Sequence, residues 1–279
     1  TMIKQTIESA QNQQEGTGVQ ASEDMTSIVS DIIVNSNTET GSKMIEELNN
    51  SAADKDNDLS LQVISDISEK DTTKLNTLSE NNKEQIEKLT ETAIKNADAS
   101  EENAQLIAKV VAVASDELVN KVVEEVSKSS TEEKQTLSAQ VLKAIVDTEP
   151  NKLDIIEDDI KDTMIKQTIE SAQNQQEGTG VQASEDMTSI VSDIIVNSNT
   201  ETGSKMIEEL NNSAADKDND LSLQVISDIS EKDTTKLNTL SENNKEQIEK
   251  LTETAIKNAD ASEENAQLIA KSCSSLQVM

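Results

Sequence analysis

Residues 1–16, TMIKQTIESAQNQQEG, open a stretch that ends at Lys109 and recurs letter for letter as Thr163–Lys271. The second copy begins 162 residues after the first, and residues 110–162 separate the two copies. A fixed period of this kind indicates a repeat protein, in which each unit buries its apolar face against its neighbours. We therefore predict a first repeat unit at 1–162 and a second, truncated unit at 163–271. The tail 272–279 departs from the pattern, and we expect the chain to be a segment of a longer array.

The spacing of the apolar residues predicts an all-α protein. From Ile64 to Ala144 these residues recur at steps of three and eleven, and an eleven-residue period lies close to the turn of a straight α-helix. Neither Gly nor Pro occurs between Ser42 and Glu149. No segment sustains the two-residue alternation that is typical of a strand.

Four look-alike segments divide the unit into helical hairpins. They begin at Ile28, Val63, Leu106 and Val141, and each is followed by a polar joint. The helix breakers Gly41 and Pro150 stand in the first and last joints, whereas Asp71-Thr-Thr73 and Ser115-Asp116 hold the other two. The predicted helices are 20–36, 42–52, 58–70, 73–96, 100–114, 116–128, 131–147 and 151–174.

The fold prediction is therefore an elongated helical-repeat array of degenerate hairpins within a 162-residue unit. The alternative is a set of long coiled-coil rods that carry the eleven-residue stripe. A third interpretation is disorder, because the chain combines low hydrophobicity with high charge.

Two helix starts carry capping signals. Ser130 with Glu133 fits a capping box, in which a hydroxyl and a carboxylate each accept a free backbone N–H. Asp98 followed by Glu101 is a weaker version of the same pattern. The Gly16-Thr-Gly18 stretch lacks the other glycines of a nucleotide-binding loop, and we interpret it as a hinge.

The composition excludes several classes of function. The chain contains no Phe, Tyr, Trp, His or Arg, and its formal net charge is -31. Phosphate backbones are bound by clusters of Lys and Arg, so we predict no nucleic-acid partner. The longest apolar run, Val110–Ala114, is far shorter than the roughly 20 residues that span a bilayer, so we predict no membrane insertion.

One acidic pattern suggests a calcium site. Asp54, Asp56 and Asp58, repeated as Asp216, Asp218 and Asp220, resemble the start of a calcium loop, where alternating carboxylates converge on a hard cation. However, Leu59 stands where the sharp turn requires Gly, and Ser65 where the bidentate Glu belongs. The alternative is a solvated loop between helices. We predict no other cofactor.

The residues of an enzyme are missing. Cys273 has no His to activate it, and the carboxylates are spread evenly along the chain rather than paired. We therefore predict that the protein is not an enzyme and has no small-molecule substrate.

The favoured function is structural: a spacer, stalk or filament subunit that associates with copies of itself, since a repeat stack leaves its end faces uncovered. One alternative is a binding module for a peptide or calcium, and another is a disordered, stress-protective chain. A single Cys fits both cytosolic and bacterial surface proteins, and between them we favour a cell-surface or extracellular location.

Overall fold

The computed structural model describes residues 2–14, 25–36, 38–52, 59–71, 73–75, 77, 83–176, 186–214, 221–232, 249–250 and 252–253. These residues are mostly α-helical, and they contain no strand. The prediction of an all-α helical array is confirmed.

The helices have the following bounds, with labels that run in chain order. They are α1 Met2–Gln14, α2 Met25–Asn35, α3 Thr38–Ala52, α4 Leu59–Lys70, α5 Lys83–Asn96, α6 Glu101–Val113, α7 Asp116–Ser127, α8 Glu132–Thr148, α9 Asp158–Gln176, α10 Met187–Asn197, α11 Thr200–Ala214 and α12 Leu221–Lys232. A short 3-10 helix spans Pro150–Asp154 between α8 and α9.

The described residues fall into two compact units. The first lies within Thr1–Lys128 and includes Asp154–Ile156. The second lies within Ser129–Leu153 and Glu157–Met279. The repeat boundary between residues 162 and 163 lies inside α9, because a tandem period can be cut at any point without changing its sequence.

The first unit is built from two layers of helices. In one layer α2 packs on α4 and α4 packs on α6. In the other layer α1 packs on α3, α3 on α5, and α5 on α7. Helices that follow each other along the chain alternate between the layers, so successive helices form hairpins. The longest helix in the described ranges, α9, has 19 residues, and the prediction of hairpins rather than long rods is confirmed.

The second unit repeats this scheme. Helix α10 packs on α8 and α12 in one layer, while α9 packs on α11 in the other. The pair α10 and α12 has the same sequence as the pair α2 and α4, and the two pairs pack in the same way.

The core consists of aliphatic side chains. Members of the eleven-residue stripe such as Ile64, Ile67, Leu89, Val119 and Val141 are all buried. Burial of one such side chain contributes roughly 1.5–3 kcal/mol to stability. Many small aliphatic contacts therefore take the place of the large area that aromatic residues would bury.

The joints were predicted correctly in three places. Asp71 Oδ1 accepts the backbone N–H of Lys74 at 2.9 Å. Ser115 is the extended N-cap residue of α7. Helix α8 ends at Thr148, two residues before Pro150. The ring of proline cannot continue a helix, which explains the last of these breaks.

Gly41 was wrongly predicted to break a helix, because α3 continues through it from Thr38 to Ala52. In the second copy, the residue that caps the start of the equivalent helix α11 can be identified. Asn199 Oδ1 accepts the backbone N–H of Thr202 at 2.9 Å, so an Asn cap lies just before the helix. Gly203, the counterpart of Gly41, is buried within α11. Packing offsets the cost of about 1 kcal/mol that Gly carries inside a helix.

Other helix starts also differ from the prediction. The N-cap of α8 is Thr131 rather than Ser130, and its side chain makes no capping hydrogen bond. The N-cap of α6 is Ser100, whose Oγ accepts the backbone N–H of Asn103 at 3.3 Å. In both cases several polar residues adjoin the break, and the local sequence does not distinguish between them.

One predicted helix, 151–174, is interrupted. The 3-10 helix at Pro150–Asp154 is separated from α9 by Ile155–Glu157. Ile156 is buried, so the turn between the two helices places an apolar side chain in the core. The predicted hinge at Gly16–Gly18 lies outside the described residues.

Candidate functional site

The calcium candidates lie outside the described residues. Asp54, Asp56 and Asp58 fall within residues 53–58, and Asp216, Asp218 and Asp220 fall within 215–220. Cys273 also lies outside. The ranges that the structure does describe hold no group of three or more potential metal ligands. Calcium binding by these aspartates stays a prediction, which a calorimetric titration of the chain with calcium tests.

None of the described helices is both long enough and apolar enough to cross a membrane.

A partly exposed lysine cluster ties α10 to α12, and we call it the Lys232 cluster. Lys232 Nζ lies 2.7 Å from Asp193 Oδ1 and 2.9 Å from Asp228 Oδ2. It also donates to Ser189 Oγ at 2.8 Å. One ammonium group thus joins two neighbouring helices of the same layer.

The first copy contains the same arrangement, which we call the Lys70 cluster. Lys70 Nζ lies 2.9 Å from both Asp31 Oδ1 and Asp66 Oδ2, and it donates to Ser27 Oγ at 2.8 Å. The cluster therefore belongs to the repeated packing and does not depend on the surroundings of one copy.

The electrostatics of these clusters favour a structural role. Burial lowers the pKa of Lys70 and Lys232, but the hydrogen bonds that they donate to the paired aspartates and the negative charges of those aspartates outweigh it, so the pKa of each lysine is raised. A lysine that acts as a general base or nucleophile needs a lowered pKa, because only the neutral amine reacts. These two lysines are held in the charged form instead.

An open polar cleft lies beside the Lys232 cluster. It is lined by Asp186, Thr188, Ser189, Gln224, Ser227, Asp228 and Glu231. Thr188 Oγ1 donates to Gln224 Oε1 at 3.5 Å across the cleft. Three of the seven lining residues are acidic, so the cleft disfavours anionic ligands.

Helix α8 is held on α9 by polar contacts as well as by its apolar side chains. The hydroxyl groups of Thr136 and Ser171 share a buried hydrogen bond of 2.8 Å. Gln135 Nε2 donates to Glu170 Oε2 at 2.7 Å. Nearby, Gln167 Nε2 donates to the carbonyl oxygen of Ser129 at 3.1 Å. A buried hydroxyl pair of this kind contributes about 1 kcal/mol and fixes the register of the two helices.

The same helix contacts α10 through charged and amide groups. Lys143 Nζ lies 2.9 Å from Asp147 and 3.9 Å from Asp193. Asn197 Nδ2 donates to Asp147 Oδ1 at 3.2 Å. These contacts join the end of α8 to the Lys232 cluster through the shared Asp193.

Helix α11 is tied to α9 by a further lysine. Lys205 Nζ lies 2.8 Å from Asp162 and 3.5 Å from Asp158. The hydrogen bond that Lys205 donates to Asp162 is the main reason that the pKa of Lys205 is raised. Hydrogen bonding from Lys161 and the charge of Lys205 hold the pKa of Asp158 below its usual range.

These contacts were not predicted from the sequence. The stripe identified Val141 and Ala144 as apolar positions, and both are buried. No sequence signal marked Thr136 or Ser171 as partners, because a hydroxyl residue on a helix has the same pattern whether it faces solvent or another hydroxyl group.

Comparison with known proteins does not place the chain in a family. No family model and no curated protein matches it. A solved structure from work described as "Computational Design of Self-Assembling Cyclic Protein Homooligomers" aligns over 91% of this chain and 95% of its own, at 16% identity and a TM-score of 0.19. At that TM-score the two backbones do not share a common arrangement, so this likeness supports no inference about assembly.

Proposed function

We propose that this protein is a non-catalytic structural element, an acidic helical-hairpin repeat that serves as a spacer, stalk or filament subunit. The proposal depends on one observation: both copies of the repeat form the same helix pair with the same polar contacts. Lys70 donates to Ser27 and Lys232 to Ser189, each at 2.8 Å. Each of these contacts joins neighbouring hairpins of the stack.

A stack of repeated hairpins favours a molecule that grows in length. In a stacked-repeat protein each hairpin contacts only its neighbours, so another unit adds length without requiring new kinds of contact. Identical copies therefore suit a protein whose function depends on its length. The net charge of -31 keeps neighbouring chains apart laterally.

The residue types support the same proposal. The chain has no His and no Arg, and the lysines of the two clusters have raised pKa values. An enzyme that works by acid–base or nucleophilic chemistry needs groups whose pKa is tuned toward neutrality. In the Lys70 and Lys232 clusters the pKa of the lysine is raised, away from neutrality.

Small-angle X-ray scattering on chains that carry one, two and three complete 162-residue units tests the proposal. We expect the maximum dimension to rise by a constant step with each unit. In a compact protein, doubling the length raises the radius of gyration only about 1.3-fold, and that result would contradict the proposal.

A control separates a folded array from an unfolded chain, since an unfolded chain also expands with length. Circular dichroism of the same samples should give a helical spectrum and a cooperative melt. Sedimentation velocity at about 0.15 M salt, where long-range repulsion is screened, then measures self-association.

A further inference from the structure

We propose that neighbouring hairpins of this protein separate one junction at a time, and that the Lys70 and Lys232 clusters each hold one of those junctions closed. A junction is the contact between two neighbouring helices of one layer, such as α2 with α4 or α10 with α12. Opening of this kind goes beyond the proposed structural role, because it describes how the folded array comes apart. In a stalk or spacer, one open junction would add length while the remaining hairpins stay folded.

Packing within each unit is local along the chain. Among the described helices, the main contacts of each helix are with helices one or two places away in chain order. The most distant of these contacts join α1 to α4 and α9 to α12. The stability of such a fold is close to the sum of its repeats and of the interfaces between neighbours. Loss of one interface can therefore open one junction without unfolding the rest.

Ion pairs lie at the junctions of the first unit. Lys70 of α4 reaches Asp31 of α2 at 2.9 Å. Lys109 of α6 reaches Glu69 of α4 at 2.6 Å. Each of these lysines extends from one helix to the neighbouring helix of the same layer, so each stabilises a single junction.

The second unit has ion pairs at the same kind of position. Asp193 of α10 lies 2.7 Å from Lys232 of α12 and 3.9 Å from Lys143 of α8. In the other layer, Lys205 of α11 lies 2.8 Å from Asp162 of α9. Removal of Lys232 therefore weakens the junction of α10 with α12 and leaves the lysines of the other junctions in place.

The junctions of α2 with α4 and of α10 with α12 form a matched pair. Thr26 of α2 donates to Gln62 of α4, and Thr188 of α10 donates to Gln224 of α12, at 3.5 Å in both copies. Thr26 is 6% exposed and Thr188 is 7% exposed. A thiol group at either position is therefore shielded while its junction is closed, and it becomes reactive when the junction opens.

Thiol labelling of the folded chain tests the proposal. Thr26→Cys and Thr188→Cys are made separately in a Cys273→Ser background, so that each protein has a single thiol group. When opening and closing are fast relative to labelling, the labelling rate measures the population of the open junction. We expect Lys70→Met to raise the labelling rate at position 26 about two- to fivefold, as for loss of a partly exposed ion pair. The rate at position 188 should stay unchanged.

The reverse experiment exchanges the two junctions. Lys232→Met should raise the labelling rate at position 188 about two- to fivefold and leave the rate at position 26 unchanged. Lys4→Met is the matched control, because Lys4 is exposed and pairs with Glu8 of the same helix. It changes the net charge equally without removing a charge that bridges two helices, so neither labelling rate should change.

A lysine substitution that raises the rate as much at the distant position as at its own would overturn the proposal, because the array would then open as a whole. Unchanged rates at both positions would also overturn it, because the clusters would not hold the junctions closed. Circular dichroism checks that each variant keeps its helices, and Lys70→Gln replaces Lys70→Met if it does not. Either contrary result would leave the scattering test of the repeat array standing.

Discussion

At the scale of single residues, the two identical copies allow one residue to be compared in two tertiary environments. Ile32 and Ile194 have the same neighbours in sequence over tens of residues, yet Ile194 is buried and Ile32 is only half-buried. The helix propensity of the residue and the surrounding sequence are the same at the two positions. Any difference in their contribution to stability therefore measures the contacts made by residues distant in sequence.

We predict that the same substitution costs more free energy of unfolding at Ile194 than at Ile32. Replacing a buried Ile by Ala costs about 2–5 kcal/mol, so Ile194→Ala should lower the free energy of unfolding by about 3 kcal/mol. Ile32→Ala should lower it by about 1 kcal/mol, because part of the side chain already contacts water. Urea unfolding followed by circular dichroism measures both. Equal losses would show that α8 does not stabilise the second copy in solution.

At the scale of helices, lysines surrounded by aspartates hold neighbouring hairpins together. In the Lys232 cluster the lysine side chain is 30% exposed, and its ammonium group bridges α10 and α12. Partly exposed ion pairs contribute up to about 1 kcal/mol. Since the pKa of Lys70 and Lys232 is raised on folding, their contribution is present below the ordinary lysine pKa of about 10.4 and is lost as the pH rises through the folded-state value.

We therefore predict an alkaline effect that depends on these two lysines. The unaltered chain should lose stability as the pH rises above about 10.4, and the Lys70→Met, Lys232→Met double variant should lose less over the same range. The chain has no Tyr or Arg, so side chains other than lysine contribute little there. Thermal melts by circular dichroism against pH measure the effect. Parallel curves for the two proteins would contradict the assignment of these clusters as interhelical ties.

Some features at this scale were predictable from the sequence and others were not. The helix ends at Asp71, Ser115 and Pro150 were correct because each residue has a local conformational or hydrogen-bonding preference. Gly41 was wrong because the cost of a glycine in a helix is small enough for packing to offset. The Thr136–Ser171 hydrogen bond had no sequence signal, since it joins residues 35 positions apart.

At the scale of the whole molecule, charge opposes folding. A net charge of -31 over 279 residues creates repulsion that the exposed ion pairs offset only in part. Much of this repulsion acts over distances longer than a salt bridge. Screening therefore weakens the repulsion more than it weakens close ion pairs.

We predict that added salt stabilises the protein. Raising sodium chloride from about 0.01 M to about 0.15 M shortens the Debye length from about 30 Å to about 8 Å and should raise the melting temperature. Potassium chloride at the same concentration should give the same increase, which separates screening from binding of a particular ion. A melting temperature that falls with salt would show that surface ion pairs outweigh the net repulsion.

The repeat, the helical class, the division into hairpins and the aliphatic core all follow from the sequence alone. Each depends on the spacing of apolar residues and on local turn preferences, which act within a few residues. The burial of Met164 and the exposure of Met2 follow only from the tertiary structure. Burial depends on which helix lies next to a residue, and two identical sequences acquire different neighbours when only one of them is covered by α8.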